Sequence, residues 1–210
     1  MFLAVISRFS RIFFNPTYLA CLLTVCLLWA CKKRSQAVSL TQAQTDSLKM
    51  VTTALKDSVQ TTWQDMLASD AQKLRHVDTL LVRIKAAGPA DPALLEKVNG
   101  LRKSFTQKQY TTPEELTSAK IDDYDAATDS LVSGVKSLYS GLKQPQRCEN
   151  CEELISRIEQ LDEKVLPYRM RYDQQADVYN GFIRQNQELL NQSAIAYDTT
   201  HCKPLFRLEN

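Results

Sequence analysis

From Leu48 the apolar side chains recur at Leu48, Val51, Leu55, Val59, Trp63 and Met66, and resume at Leu74, Val77, Leu81 and Ile84. Steps of three and four alternate around the period of one helix face, which predicts a long amphipathic helix. Gly88-Pro89 stops it, and Asp91-Pro92 opens the next with an acid at the N-cap and a proline at the first helical position. That second helix, Pro92 to about Lys108, is short and carries Leu94, Leu95, Val98, Leu101 and Phe105 on one side. Thr112-Pro113-Glu114-Glu115 repeats the cap chemistry and is expected to open a third helix through Leu116, Tyr124, Leu131, Val135, Leu138 and Leu142, ended by Gln144-Pro145. The fourth runs from about Cys151 through Leu154, Ile158, Leu161, Val165, Tyr168, Tyr172, Tyr179, Ile183 and Leu190. Pro167 inside it predicts a kink, because proline removes a backbone hydrogen bond and crowds the preceding turn.

Helices joined by short connections run antiparallel and bury their stripes against one another. The expected fold is therefore all-α, an elongated antiparallel four-helix bundle with one short helix, whose first and fourth helices each span roughly 60 Å. No stretch alternates with the period of a strand.

The first thirty residues have a different pattern. Arg8 and Arg11 precede Leu19 to Ala30, a run of twelve mostly apolar residues that closes on a small residue and then Cys31. This is the three-part layout of a signal peptide. The ending Leu28-Trp29-Ala30-Cys31 resembles the bacterial lipobox, in which the cysteine receives lipid before cleavage makes it the N-terminus; Trp29 departs from the small or β-branched residue usual there. Each buried methylene of such a lipid contributes ~0.8 kcal/mol, so several acyl chains hold far better than one. The rival reading joins Ile12 to Ala30 into a nineteen-residue transmembrane span. Lys32, Lys33 and Arg34 would then hold the following domain in the cytoplasm.

Charge sharpens the choice of partner. Lys and Arg number 26 against 24 Asp and Glu, and the excess of +2 comes from Arg8 and Arg11, so a chain starting at Cys31 is neutral. Without surplus positive charge to displace phosphate counterions, nucleic acid is not an expected partner.

Tyr168-Arg169-Met170-Arg171-Tyr172 followed by Tyr179-Asn180-Gly181-Phe182-Ile183 resembles the C-terminal helix of the LemA family, where an Arg-Tyr pair is followed by Tyr-Asn and an aromatic-aliphatic pair. Thr61 to Lys85 is similar to that family's first bundle helix, with Trp63, Leu80, Ile84 and Lys85 in matching places. At Arg75-His76-Val77-Asp78-Thr79-Leu80 the family typically has Asp-Leu-Ile-Pro-Asn-Leu, of which only the Leu is kept. The resemblance implies a membrane-anchored helical bundle without established catalytic residues, a fold and a location rather than a reaction.

Cys148-Glu149-Asn150-Cys151 and the distant His201-Cys202 make a nominal Cys₃His zinc set. Distance argues against it: a helix from Cys151 to Asn191 separates its ends by ~60 Å, and the eleven residues onward to Cys202 return at most ~35–40 Å. A local Cys148–Cys151 disulfide is expected in an exported protein. A redox-active pair at the helix start is the alternative, without a thioredoxin-like βαβ pattern around it. Cys202 is then the odd thiol, free to bridge two chains.

Asp70 falls on the apolar stripe between Met66 and Leu74, where a buried charge needs a partner; the expectation is an Arg or Tyr of the fourth helix, or a stripe that locally faces water, rather than a ligand site. His76, beside Arg75 and Asp78, reads as a rim residue. Tyr168, Tyr172 and Tyr179 share one helix face, as core packing with a partner-binding ridge as the alternative. With two histidines and no phosphate-cradling or nucleophile-elbow glycines, neither a catalytic set nor a cofactor is expected.

The expected organisation is a signal peptide or anchor over 1–30, a polar tether over 31–46, a LemA-like bundle over 47–192 and a C-terminal tail over 193–210. The expected function is that of a non-enzymatic, membrane-tethered interaction or scaffold lipoprotein of the bacterial envelope, its partners the lipid bilayer and a protein or second copy. The alternative is a metal-binding or thiol-exchanging bundle using Cys148 and Cys151.

Overall fold

The computed structural model describes residues 40–88, 90–193 and 202–207. The apolar segment, Cys31, most of the expected tether and His201 lie outside the described residues. Among the described residues the chain is all-helical, without a strand. Helix α1 spans Gln42–Ala87, α2 Pro92–Lys108, α3 Ser118–Ser140, α4 Cys151–Glu163 and α5 Val165–Gln192, with short 3₁₀ turns at Pro113–Glu115 and Pro145–Arg147.

Helix α1 begins inside the stretch expected as tether, because Thr41 and Gln44 form a capping box there: Thr41 N–H donates to Gln44 Oε1 at 2.9 Å and Gln44 N–H to Thr41 Oγ1 at 3.3 Å. It ends at Gly88, whose φ of 138° is accessible to glycine and strained for any other residue. At α2 the Asp91 carboxylate accepts from Ala93 N–H at 2.8 Å, with Pro92 at the first helical position.

The third helix starts later than the sequence suggests. Thr112 and Glu115 do form a capping box, but it closes a single 3₁₀ turn, and α3 opens only where Thr117 accepts from Lys120 N–H at 3.2 Å. The expected fourth helix is two. Pro167 has no N–H for the Glu163 carbonyl, and the helix breaks there, with Lys164 between α4 and α5. Helical bonding resumes at once, Tyr168 N–H donating to Lys164 O at 3.0 Å.

Cross-helix ion pairs give the directions. Asp65 faces Arg171, Lys73 faces Asp162 and Arg83 faces Glu149, so α1 runs against α5 and then α4. Helices α2 and α3 also oppose each other: Lys108 pairs with Asp123, and a Cβ at Gly134 would lie 2.7 Å from Leu101, a close approach that glycine permits. Arg102–Asp78 ties α2 to α1, and Lys136–Glu159 ties α3 to α4.

The core is a set of three-four stripes facing one another. On α1 the stripe from Val59 to Ile84 follows the alternation through Val59, Trp63, Met66, Asp70, Lys73, Val77, Leu80 and Ile84, with Thr62, Ser69 and Leu81 buried along its edges. Tyr124, Thr128, Leu131, Val135 and Leu138 continue it on α3, and Tyr172, Ala176, Tyr179 and Ile183 on α5. Each fully buried Val, Leu or Ile here contributes about 1.5–3 kcal/mol relative to exposure.

Candidate functional site

Two neighbouring features concentrate the polar chemistry. The first is a charged layer inside the helices. Asp70 is 2% exposed and Lys73 0%, occupying consecutive core positions of α1. Asp70 Oδ1 accepts from the Tyr124 hydroxyl at 2.6 Å, so its partner is a tyrosine of α3 rather than a group of the last helix. Lys73 Nζ donates to Asp162 at 2.9 Å and lies 5.6 Å above the Phe105 ring. Arg169 of α5 forms a two-pronged pair with Asp125, at 2.6 and 3.1 Å, and donates to Tyr110 Oη at 3.3 Å while covering the rings of Tyr124 and Phe206.

Burial pushes the Asp70 carboxyl above the usual carboxylate range, and the Tyr124 hydroxyl, Lys73, Gln109 and Arg169 offset this only in part. Burial likewise raises the Tyr110 hydroxyl to about 12, and those of Tyr124 and Tyr172 upward as well. These tyrosines stay neutral at ordinary pH: Tyr124 and Tyr172 serve as donors, and Tyr110 accepts from Arg169. His76 sits on the rim of α1, half-buried, with its neutral form favoured by partial burial and by Arg157 and Arg75.

The raised Asp70 pKa fixes a sign. The folded state favours the protonated acid, so this group's contribution to stability is complete below the ordinary carboxylate range and is lost as pH rises through the raised value. Asp70→Asn is therefore expected to gain stability over the wild type near neutral pH and to converge with it in acid. Urea midpoints of the two proteins across pH 3–8 check this; a variant less stable at pH 7 would refute it.

The second feature is the C-terminal tail. Residues 202–207 lie along α5. Phe206 and Arg207 donate their backbone N–H groups to the two oxygens of Asp173 at 2.8 and 3.0 Å. Lys203 N–H donates to Asn180 Oδ1 at 2.7 Å, and Asn180 Nδ2 returns a bond to Lys203 O at 2.8 Å. The Tyr172 hydroxyl donates to Pro204 O at 3.1 Å, while Lys203 pairs with Glu114 and Arg207 with Asp177. The Phe206 ring enters a socket of Trp63, Tyr110 and Tyr172, at centroid distances of 6.1, 5.6 and 5.7 Å.

Cys148 and Cys151 are joined by a disulfide at the start of α4, Cα atoms 5.5 Å apart and both side chains buried. Glu149, Glu152 and Glu153 line the open cleft beside it, together with Tyr139. Thiolates released there would meet three acids, which works against their formation. Cys202 is free and exposed, with its sulfur 4.0 Å from an Arg184 nitrogen of α5. Among the described residues no group of three or more His, Cys, Asp or Glu is placed to hold a metal ion.

Of the two readings of Tyr168, Tyr172 and Tyr179, core packing describes the last two and the partner-binding ridge does not. Tyr172 is 0% and Tyr179 2% exposed, so they belong to the core, and Tyr168 alone of the three reaches the surface, half-buried. The stripe faces inward because α1 covers it along its length. Residues missed in the sequence are Lys73, Tyr110, Asp173 and Phe206, while Arg169 was noted only as part of the family resemblance. Of these only Phe206 left a trace, in the apolar pair Leu205-Phe206 after a polar stretch.

No protein-family profile, characterised protein or solved structure matches the chain. No helix among the described residues is long and apolar enough to cross a membrane.

Proposed function

We propose that the protein is a membrane-tethered, non-enzymatic interaction or scaffold lipoprotein of the bacterial envelope, a LemA-like elongated antiparallel four-helix bundle held at the bilayer through lipid on Cys31. The observation that carries this reading is the cysteine at the end of the apolar run, after Leu28-Trp29-Ala30 and preceded by Arg8 and Arg11. The Cys148–Cys151 disulfide supports it, since such pairs persist in oxidising compartments outside the cytoplasm. The opposed directions of α1 against α4 and α5, and of α2 against α3, support the bundle. Lys32 rather than an acid beside Cys31 favours the outer membrane. Thiol exchange as the alternative activity is weakened by the burial of both sulfurs and by the acids around them.

Metabolic labelling with palmitate in a lipoprotein-competent bacterium tests the anchor. The wild type is expected to take up label and Cys31→Ala to take up none and to leave the detergent-soluble membrane fraction. An unlabelled wild type that keeps its N-terminal segment would instead support an uncleaved span with a cytoplasmic bundle.

A further inference from the structure

Asp173 and Asn180 are buried polar side chains on α5, and among the described residues both bond only to the tail. Neither holds one helix to another. Their positions, with Asp177 between them, fall on one face of α5, spaced by four and three residues.

The bonds they make follow a pattern. Asn180 takes an N–H and gives to the carbonyl of the same residue, Lys203, which is the exchange a neighbouring β-strand makes. Asp173 takes two consecutive N–H groups, both charge-assisted. Tyr172 supplies a donor for the carbonyl of Pro204, a residue without an N–H of its own. One helix thus satisfies the backbone of an extended segment as a sheet edge would, using side chains. Sockets then select the residues: the aromatic one for Phe206, roofed by Arg169 at 5.0 Å, Asp177 for the base after it, and Glu114 for the base three residues before it.

We infer that this face of α5 is a receptor for an extended peptide of the form basic-Pro-apolar-Phe-basic on a partner protein, and that the chain's own residues 203–207 occupy it in cis. The inference rests on the interaction role proposed above and names the partner's chemistry. The occupant is argued from the tail itself, whose backbone and side chains show what the site accepts. An intramolecular segment on a short connection competes at millimolar effective concentration, so a partner in trans gains access when the tail lets go. An open groove of about 500 Å³, bordered by Leu166, Met170 and Gln174 beside Arg207, keeps the outer side of the seated peptide accessible.

The test uses the full chain in detergent and a fluorescent acetyl-KPLFR-amide peptide, read by anisotropy. Phe206→Ala, which removes the tail's anchor, is expected to bind the peptide at least about tenfold more tightly than the wild type, whose own tail competes. Adding Asp173→Ala or Asn180→Ala to Phe206→Ala is expected to abolish binding, as is replacing the peptide's Phe by Ala. Trp63 reports occupancy, since it packs against the Phe206 ring. If Phe206→Ala does not fold, as judged by circular dichroism, the Lys203→Ala/Arg207→Ala variant carries the same test at smaller amplitude, because it leaves the aromatic core in place. No binding to the released variants, or binding indifferent to Asp173 and Asn180, would overturn the receptor. A wild type found as a tail-exchanged dimer by light scattering would replace the partner with a second copy and overturn the assignment. Peptide binding does not depend on Cys31, so this inference and the lipid anchor fail separately.

Discussion

Trp63→Ala is expected to lower the unfolding free energy by about 3–5 kcal/mol, the cost of emptying an aromatic core position. Trp63 is 1% exposed and packs on Tyr172 at 5.3 Å, as well as on Tyr110 and Phe206 at 6.1 Å each. It therefore joins α1, the loop after α2, α5 and the tail at one point. Aromatic pairs add about 0.5–1.5 kcal/mol each beyond the area they bury, and domains have only about 5–15 kcal/mol of net stability. The loss is measured as a shift in the denaturant midpoint by far-ultraviolet circular dichroism, with Trp63→Phe expected to recover part of it. Hydrogen exchange supplies a local readout: the Phe206 and Arg207 amides, bonded to Asp173, should lose protection well before amides in α3. A shift under about 1 kcal/mol would mean that the ring is not packed as described.

Asp162→Ala should be comparably damaging, and Lys73→Met should not. The Lys73 ammonium is fully buried, and its carboxylate partner Asp162 is 27% exposed at the side chain. Removing Asp162 leaves the cation in the interior with the Phe105 ring and the charge of Asp70, a loss of about 3–5 kcal/mol for breaking a buried pair from one side. Lys73→Met keeps the volume and drops the desolvated charge, so it is expected to be neutral or stabilising by up to about 1–4 kcal/mol. Asp162→Ala made in the Lys73→Met background should cost little further. Denaturation of the four proteins gives the coupling directly, and equal losses for the two single variants would refute the argument.

The helices and their inward faces were legible because a three-four alternation has one physical reading, and Gly88, Asp91 and Pro92 punctuate it where the turns fall. Of the charged layer only Asp70 was legible, and without its partner. A hydropathy reading steps from Met66 to Leu74, whereas the buried positions run through Asp70 and Lys73 without a break. What makes those two residues tolerable lies 54 and 89 residues away, in Tyr124 and Asp162, beyond any local pattern. At the third helix two threonine caps stand close together, and only the tertiary setting shows that the first closes one turn. The tail was invisible for another reason. Its contacts are made largely by its backbone, which is the same in every sequence, and an extended segment captured by a helix has no periodicity of its own.

The charged layer also governs sliding. Val77, Leu80 and Ile84 resemble one another closely enough that α1 could move one heptad along α4 and α5 and still meet apolar surface. That slip is about 10 Å, far more than the Lys73–Asp162 and Asp70–Tyr124 bonds can stretch, and it would set an ammonium and a carboxyl against hydrocarbon. Two residues that cost stability thus serve as a registration mark between helices whose apolar stripes repeat.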